Sequence, residues 1–323
     1  MLSELIPSYY RQLIEQDASG ALGKMMFFSS DELKRSSLEL NDPYGEQNNQ
    51  KIANLIHLYP TKVLIQTTDQ CLGNCRFCFR KNWKEGRKEV DASVFSRNIA
   101  EMKNYLDTAP EVNEIVLSGG DPLMMVYKNW LELKKMLLSC EQIKTWRWHT
   151  RRPVFDPLSL PDWWWSEWRE LGELGKKLVI ILHLNHPAEI TTELSSLVKK
   201  WHKLGMRVKA QGVLLAGVND RTKTLTDLWQ REIEFGIEPY YLHHLDRAPG
   251  TSHFWVGIEH GKRIFEEART KMLEMWPDFN LKYMVELVNG QGKVEVEKLA
   301  KVSPLLYKAE NFQGEMCEYW EGN

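Results

Sequence analysis

The sequence has almost no net charge and no long apolar run. Its 323 residues include 42 Lys and Arg against 44 Asp and Glu, a formal net charge of −2. Such a balance creates no field that would attract nucleic acid or an anionic membrane, so neither partner is expected. No apolar stretch reaches the roughly 18 residues of a membrane span, and the start, MLSELIPSYYRQLIEQD, is not typical of a signal peptide. We therefore expect a cytoplasmic protein.

Cysteine is also scarce, and its arrangement is uneven. The chain has five cysteines, an odd number, so a disulfide framework is not expected. Three of them, Cys71, Cys75 and Cys78, fall within CLGNCRFC, directly after a strand-like apolar run. In a reducing compartment these thiols would be available as ligands. The other two, Cys140 and Cys317, are expected to be buried or incidental thiols.

A strand-like run followed by a helical pattern recurs about six times along the chain. This alternation predicts an α/β fold with a parallel sheet, arranged as an open or partial barrel. In such folds the functional residues follow the carboxyl ends of the strands. The seven predicted strands begin at Lys62, Asn113, Thr145, Lys177, Arg207, Glu238 and Leu281.

The remaining parts of the chain predict additions to this barrel. Residues 1–55 are helical and polar and predict an N-terminal helical cap. Residues 56–298 carry the barrel, and residues 299–323 are predicted to form a C-terminal tail. The 13 tryptophans are expected mainly to fill the core, because an indole ring buries a large apolar surface.

The three clustered cysteines favour an iron–sulfur cluster. Three thiolates on one loop can hold three corners of a [4Fe–4S] cluster and leave the fourth iron open to a small molecule. Structural zinc normally uses four ligands in two pairs, and no second CxxC or HxxxH follows the loop. A catalytic zinc ion with three ligands, or three cysteines without a metal, stay open as alternatives.

CxxxCxxC with an aromatic residue, Phe77, in its last gap resembles the radical S-adenosylmethionine (SAM) enzymes. LSGGDPL, residues 117–123, strengthens the resemblance, because it follows the second strand, where that superfamily places a Gly-rich turn against SAM. The resemblance implies a [4Fe–4S] cluster whose open iron binds SAM. The residues that it implies for SAM binding are Gly119, Gly120, Asp121, His183 and Gln211. For His183 a core histidine is the alternative.

Six further stretches are similar to the lysine 2,3-aminomutase family, in the same order along the chain. They are YPTKVLIQTTDQC, CRFCFRK, HLNHPAEIT, QGVLLAGVND, EPYYLHHLD and GTSHF. The resemblance implies an isomerase with a partial (β/α)6 barrel of the radical SAM type. It also implies a second cofactor, pyridoxal 5′-phosphate (PLP), and transfer of the α-amino group of a basic amino acid to its β carbon. Lysine, arginine and ornithine are the candidate substrates.

NGQGK, residues 289–293, resembles the family's PGGGGK turn and makes Lys293 the candidate lysine for PLP. Asn289 and Gln291 depart from that pattern, and an exposed lysine on a hairpin is the alternative. Tyr59 matches the aromatic residue that stacks near PLP. The leucine before it replaces a family arginine, and Lys62 is expected to compensate as a cation.

Three residues match the family's substrate contacts. Arg80 corresponds to the residue that binds the substrate carboxylate, since a guanidinium pairs with a carboxylate in a fork and keeps its charge. Asp246 and Glu286 correspond to the two acids that hold the side-chain ammonium. A surface arginine and structurally paired carboxylates are the alternatives.

The family's zinc site is not expected in this chain. Arg221 stands where the larger mutases carry a zinc-binding cysteine, and the C-terminal segment contains only Cys317. This feature is shared with a shorter branch that acts on lysine for the modification of elongation factor P. That branch, and a radical SAM enzyme with an altered or lost PLP role, stay open. The implied partners are a small amino acid and an external electron donor, and a homo-oligomer is compatible with the sequence.

Overall fold

The described residues of the chain form one large sheet and one small sheet. The structure is a computed structural model that describes residues 2–81 and 92–321, the side chains of 92–97 excepted. The large sheet comprises β1 (Gln50–Ile52), β2 (Leu55–Tyr59), β3 (Lys62–Thr68), β4 (Glu114–Gly119), β5 (Thr145–Thr150), β6 (Lys177–His183), β7 (Arg207–Val213), β8 (Glu238–His243), β9 (Lys282–Leu287) and β10 (Gly292–Glu295). The small sheet comprises β11 (Ala300–Ser303), β12 (Leu306–Glu310) and β13 (Met316–Trp320).

The ten strands of the large sheet lie side by side in chain order. Neighbours from β3 to β9 are parallel. The pairs β1–β2, β2–β3 and β9–β10 are antiparallel and extend the sheet at its two ends. Among the described strands β1 and β10 are not paired with each other, so the barrel is open. This arrangement confirms the predicted α/β fold with a parallel sheet.

Helices cross between the successive parallel strands. The α-helices are α1 (Ser8–Gln16), α2 (Ala21–Met26), α3 (Ala92–Asp107), α4 (Tyr127–Leu138), α5 (Arg152–Phe155), α6 (Trp163–Glu173), α7 (Thr192–Lys203), α8 (Thr222–Glu234) and α9 (Ile258–Met275). Short 3-10 helices cover Ser30–Leu33, Pro122–Met124, Pro187–Glu189, Ser252–Phe254, Val288–Gly290 and Val296–Lys298. Local signals set such boundaries: the Thr191 hydroxyl accepts from the Leu194 N–H at the start of α7, and Gly205 follows its end with φ +73°.

Successive side chains of β5 point alternately toward the helix-packed core and toward the barrel interior. Trp146 and Trp148 are fully buried and pack against Trp130 of α4, with ring centroids 6.0 and 6.1 Å apart. The alternate residue Arg147 points the other way and reaches Tyr240 on β8, with its Nη1 3.5 Å from the hydroxyl. Contact between strands three positions apart requires a curved sheet. Of the tryptophans that the structure describes, seven are fully buried, which confirms the predicted core role.

Residues at both ends of the chain close around the barrel. The predicted cap, 1–55, contains α1, α2, a 3-10 turn and an extended loop, and it also includes β1. Glu32 of this segment accepts two bonds, at 2.7 and 2.6 Å, from the buried guanidinium of Arg76 in the cysteine loop. The predicted tail, 299–323, contains the whole of the small sheet. Within the described residues no helix is long and apolar enough to cross a membrane.

Candidate active site

Most of the predicted site residues lie at the carboxyl ends of the parallel strands; Tyr59, at the end of β2, is paired with Lys62 at the start of β3. The cysteine loop follows β3, residues 119–121 end β4 and follow it, and His183 ends β6. Gln211 lies on β7, and Glu286 on β9 is paired in register with Lys293 on β10. The topology therefore brings these separate motifs to one end of the barrel, as the parallel fold predicts.

The Gly-rich turn after β4 packs directly on the segment that leads into the cysteine loop. The N–H of Gly120 donates to the Thr68 carbonyl at 2.5 Å, and that of Asp121 donates to the Gln70 carbonyl at 2.7 Å. A Cβ on Gly120 would overlap the Gln70 carbonyl oxygen. Glycine is therefore required here by close backbone approach, and the turn holds the entry to the cysteine loop in place.

Asp121 shapes this turn from within. Its carboxylate accepts from the Thr150 hydroxyl at 2.7 Å and from three backbone N–H groups, those of Leu123, Arg151 and Arg152, at 2.7 to 3.0 Å. Burial raises the pKa of Asp121, although these donors act to lower it. Both oxygens are engaged by the protein itself, so Asp121 joins the turn to the end of β5. Its contact with SAM stays a prediction.

The cysteine loop lies among cations. None of the described cysteines forms a disulfide. The thiol of Cys75 contributes to a raised pKa of Arg151: burial opposes that charge, and Cys75 and Glu189 outweigh the burial. The pKa of Arg80 is also raised: burial opposes its charge, Glu46 raises the pKa most, and Cys78 adds to this effect. The loop therefore lies beside two guanidinium groups, opposite in charge to the thiolate ligands of an iron–sulfur cluster.

The cysteine loop carries the thiol ligands that an iron–sulfur cluster needs. In the part of the chain that the structure describes, no three His, Cys, Asp or Glu side chains converge as a metal site. The backbone of the loop is nevertheless held, because the Asn74 and Arg76 N–H groups donate to the carbonyls of Leu5 and Met25, each at 2.9 Å. Three thiols on one anchored loop in cationic surroundings fit the predicted cluster by ligand type and charge.

His183 and Gln211 contact each other inside the barrel. The Gln211 amide nitrogen is 2.7 Å from Nε2 of His183. Burial, followed by the charges of Arg151, Lys293 and Arg80, lowers the pKa of His183 to about 3. The imidazole is therefore neutral and accepts the amide hydrogen. The sequence prediction missed two further buried histidines near His183. They are His149 and His243, and burial lowers the pKa of each.

Lys293 lies in a hairpin whose geometry explains the departures from the PGGGGK pattern. Asn289 has φ +61°, a left-handed conformation that asparagine tolerates better than most residues. Gln291 has φ −80° and ψ −3°, which any residue adopts, so glycine is not needed there. Gly292 has φ +86° and faces the Phe312 ring and the Tyr59 hydroxyl, where a side chain would not fit. The two substitutions therefore preserve the turn.

Tyr59 and Lys62 lie beside this hairpin. The Tyr59 hydroxyl accepts a hydrogen bond from the Lys293 N–H at 2.9 Å, and the Lys62 ammonium lies 4.5 Å from the centroid of the Tyr59 ring. Burial lowers the pKa of Lys62, and Arg147 contributes in the same direction. The predicted neighbours of PLP thus meet at Lys293, although their contact with the cofactor stays a prediction.

Two buried acids face the same lysine. The Glu286 carboxylate is 3.9 Å from the Lys293 ammonium, and among the described residues its buried Oε2 has no hydrogen-bond partner. Burial raises the pKa of Glu286 to about 8; Lys293 acts against this shift and Asp246 adds to it. Burial likewise raises the pKa of Asp246 to about 7. A buried carboxylate oxygen without a hydrogen bond, in a pocket that contains a second buried acid, suits a cationic ligand.

Arg80 is already paired in the structure, with a residue that the sequence prediction missed. Its Nε donates to Oε2 of Glu46 at 3.0 Å, and its Nη2 pairs with Oε1 of the same carboxylate. Tyr44 of the same loop packs against Phe79 at a tilt of 30°, with ring centroids 4.2 Å apart. No periodicity or motif of the sequence assigns Glu46 or Tyr44 to the site, because both lie in an irregular polar loop.

Comparison with known proteins places this arrangement in a family. No protein-family model matches the chain. L-lysine 2,3-aminomutase of Buchnera aphidicola is 34% identical over 236 residues, which cover 73% of this chain and 67% of that protein. L-lysine 2,3-aminomutase of Acetoanaerobium sticklandii is 29% identical over 98% of this chain and 75% of its own length. A radical SAM methyltransferase from Sphaerobacter thermophilus aligns with a TM-score of 0.52 at 15% identity, over 72% of this chain and 68% of its own.

The sequence likeness and the fold agree with each other. The relative from Buchnera aphidicola exceeds 30% identity over about two thirds of its length, and the structural likeness supports the open parallel barrel independently. The chain therefore belongs to the L-lysine 2,3-aminomutase family, a family of isomerases, and has the fold of the radical SAM enzymes.

Proposed function

We propose that this protein is a PLP-dependent radical SAM 2,3-aminomutase that moves the α-amino group of a basic amino acid to the β carbon, with lysine as the first candidate. The observation that carries the proposal is the meeting of Lys293 with two buried carboxylates, those of Asp246 and Glu286. Two acids in one pocket repel each other unless a cation lies between them. In the structure the Lys293 ammonium is that cation. With Lys293 bound to PLP, the side-chain ammonium of a basic amino acid would take its place.

We assign each cofactor to particular residues of the chain. Cys71, Cys75 and Cys78 would hold the [4Fe–4S] cluster, with SAM against the turn at 119–121. Lys293 would hold PLP beside Tyr59. When bound, the cluster and SAM supply hydrogen-atom abstraction and PLP supplies a carbonyl carbon for the substrate amine, chemistry that protein side chains lack.

The cations near Lys293 suit the phosphate of PLP. The Lys62 ammonium lies over the Tyr59 ring, and Arg147 is close enough to lower the pKa of Lys62. Both cations lie toward the amino end of the barrel. Arg147 also forms an ion pair with Glu114 at 2.8 Å, so its charge is partly balanced. In the described part of the chain no ion pair involves Lys62, and this makes Lys62 the first candidate for the phosphate.

Positioning of the substrate follows from the charges of the pocket. Arg80 is assigned to the substrate carboxylate, and its present pairing with Glu46 supports this, because two of its donors already face a carboxylate. The buried histidines His149, His183 and His243 are neutral, since burial lowers the pKa of each. They therefore place no positive charge against the substrate ammonium.

Cofactor loading tests the proposal most directly. The protein is purified anaerobically, reconstituted with iron, sulfide and PLP, and desalted before its absorbance is recorded. We expect a PLP band in the wild type and its loss in Lys293→Ala, while iron–sulfur absorbance and SAM cleavage persist. Lys282→Ala is the matched control, because Lys282 lies on β9 and pairs with Glu295 outside the pocket at 2.9 Å.

Turnover completes the test. Lysine, arginine and ornithine are each incubated with the loaded wild type, SAM and a reductant, and the products are searched for isomers of unchanged mass. An isomer from at least one of them is expected. Iron–sulfur absorbance without a PLP band that depends on Lys293 would refute the aminomutase assignment and leave the radical SAM assignment standing.

A further inference from the structure

We infer that the loop of residues 42–49 closes the substrate pocket with a resident carboxylate, Glu46, and that a substrate carboxylate enters by displacing Glu46 from Arg80. The inference rests on the proposed function, which assigns Arg80 to the substrate carboxylate. It adds a residue that competes with the substrate at that position.

The carboxylate-binding edge of Arg80 is occupied. Nε and Nη2 of Arg80 both face the Glu46 carboxylate, and the Gln66 amide adds a third donor to that carboxylate at 3.3 Å. The remaining nitrogen, Nη1, donates to the Gly119 carbonyl at 2.9 Å and to the Ser118 hydroxyl at 3.3 Å. A guanidinium binds one carboxylate in a fork on each edge. A substrate carboxylate therefore reaches the Nε and Nη2 edge only when Glu46 leaves.

The same loop also covers the ammonium end of the pocket. Tyr44 is a close neighbour of Asp246 and acts to lower the pKa of that acid, against the larger effect of burial. The Lys293 ammonium lies 5.7 Å from the centroid of the Tyr44 ring. Tyr44 and Glu46 thus contact the two groups that are assigned to the opposite ends of a basic amino acid.

The loop is seated on the hairpin that carries Lys293. Gly45 has φ +59°, and a side chain there would overlap the backbone of Asn289 and Gly290. Asn49 bridges the two segments, since its amide donates to the Gly45 carbonyl at 3.2 Å and to the Gly290 carbonyl at 3.5 Å. Departure of Glu46 is therefore coupled to the position of the lysine hairpin.

Exchange of carboxylates keeps the charges balanced. Removing one partner of a buried ion pair is costly, because the other charge is left uncompensated. When a substrate carboxylate replaces Glu46, Arg80 remains paired, and the displaced carboxylate is free to reach water. Because the substrate has to displace Glu46, the free energy of the Glu46–Arg80 pair is subtracted from the free energy of substrate binding. Removing the Glu46 charge is therefore expected to strengthen substrate binding.

The test compares lysine with cadaverine, which has the same chain of carbons and amines but no carboxylate. Binding is measured by equilibrium dialysis on protein loaded with cluster and PLP, without SAM, so that no turnover occurs. In Glu46→Gln we expect lysine to bind about tenfold more tightly or better, the value of one charge-assisted pair. Cadaverine binding is expected not to tighten.

Glu39→Gln is the matched control, because Glu39 lies just before the loop and pairs with Arg35 and the Gly250 N–H instead of Arg80. This variant is expected to bind both ligands as the wild type does. If lysine binds Glu46→Gln no better than the wild type, or more weakly, the inference is overturned and the proposed function stands. If the wild type binds neither ligand, the proposed function is overturned, and the inference falls with it.

Hydrogen exchange on the wild type gives an independent readout that needs no variant. Lysine is expected to increase amide exchange within 42–49, whereas cadaverine is not, because only lysine competes for Arg80. Exchange in this loop that lysine leaves unchanged or slows would also overturn the inference. This readout decides the matter if Glu46→Gln does not fold.

Discussion

The two buried acids make the binding of a basic amino acid depend on pH. Burial raises the pKa of Asp246 to about 7 and that of Glu286 to about 8, with Lys293, Arg80 and Tyr44 opposing the shift and Glu46 adding to it. At pH 6 the empty pocket is therefore largely protonated. A ligand ammonium binds the ionised form, so a proton has to leave, and affinity rises by up to about tenfold per pH unit between pH 6 and 8.

The assay is calorimetric binding of lysine to the loaded protein from pH 6 to 9, in buffers of different ionisation enthalpy. Proton release is expected near pH 7. Norleucine is the control ligand, since it shares the α-amino and carboxylate groups but has no side-chain ammonium. The ratio of lysine to norleucine affinity should rise with pH in the wild type and more weakly in Glu286→Gln. A ratio that is flat in the wild type, or unaltered in the variant, would refute this account.

The same shifts set the sign of a stability effect. A carboxyl group whose pKa is raised by folding contributes stability that is complete below its unfolded value, near 4, and is lost as pH rises through the folded value. The two acids are therefore expected to make the ligand-free protein lose stability from about pH 4 to about pH 8, with no further loss above that range. Bound lysine should reduce this loss, which thermal denaturation with and without lysine measures.

Three further predictions concern the scaffold and PLP. Glu32→Gln leaves two buried cations without their carboxylate and should lower the free energy of unfolding by about 3 kcal/mol in urea titrations. Asp31→Asn removes an exposed pair with Lys34 and should lower the free energy of unfolding far less, so equal effects would contradict the account. Gly120→Ala should reduce the iron retained after reconstitution, because the added methyl displaces the segment before the cysteine loop. Gly172→Ala is the control, because a methyl group on this helical glycine would lie 3.8 Å from its nearest neighbour. This variant should retain iron and gain about 0.5–1 kcal/mol in the free energy of unfolding. Lys62→Met should weaken PLP binding in absorbance titrations without loss of iron–sulfur absorbance, and unchanged PLP affinity would remove Lys62 from the phosphate site.

Local sequence patterns were sufficient for the barrel and the cysteine loop. Short apolar runs followed by amphipathic stretches place the strands, because a parallel strand buried on both faces is apolar along its length, whereas its covering helix is apolar on one face only. Three cysteines in eight positions are brought together by chain connectivity alone. The turn at 119–121 was equally local, and the structure adds the reason for Gly120, which is the Gln70 carbonyl against it.

Partners that are distant in sequence could not be predicted in this way. The assignment of Glu46 to Arg80 joins residues 34 positions apart through an irregular loop, which has no periodicity to place it. The raised pKa of Asp246 and Glu286 comes from burial by elements that close around them only in the folded chain. Composition and spacing contain no information on such desolvation.

The sequence by itself determined the family, the order of the strands and the ligand types, because these depend on residue identity and near-neighbour spacing. Tertiary structure alone decided how the charges of the pocket are paired: Lys293 beside an orphaned Glu286 oxygen, and Arg80 on a carboxylate of the chain itself. The physical reason is that the energy of a buried charge depends on every group packed around it, and packing exists only after the chain has folded.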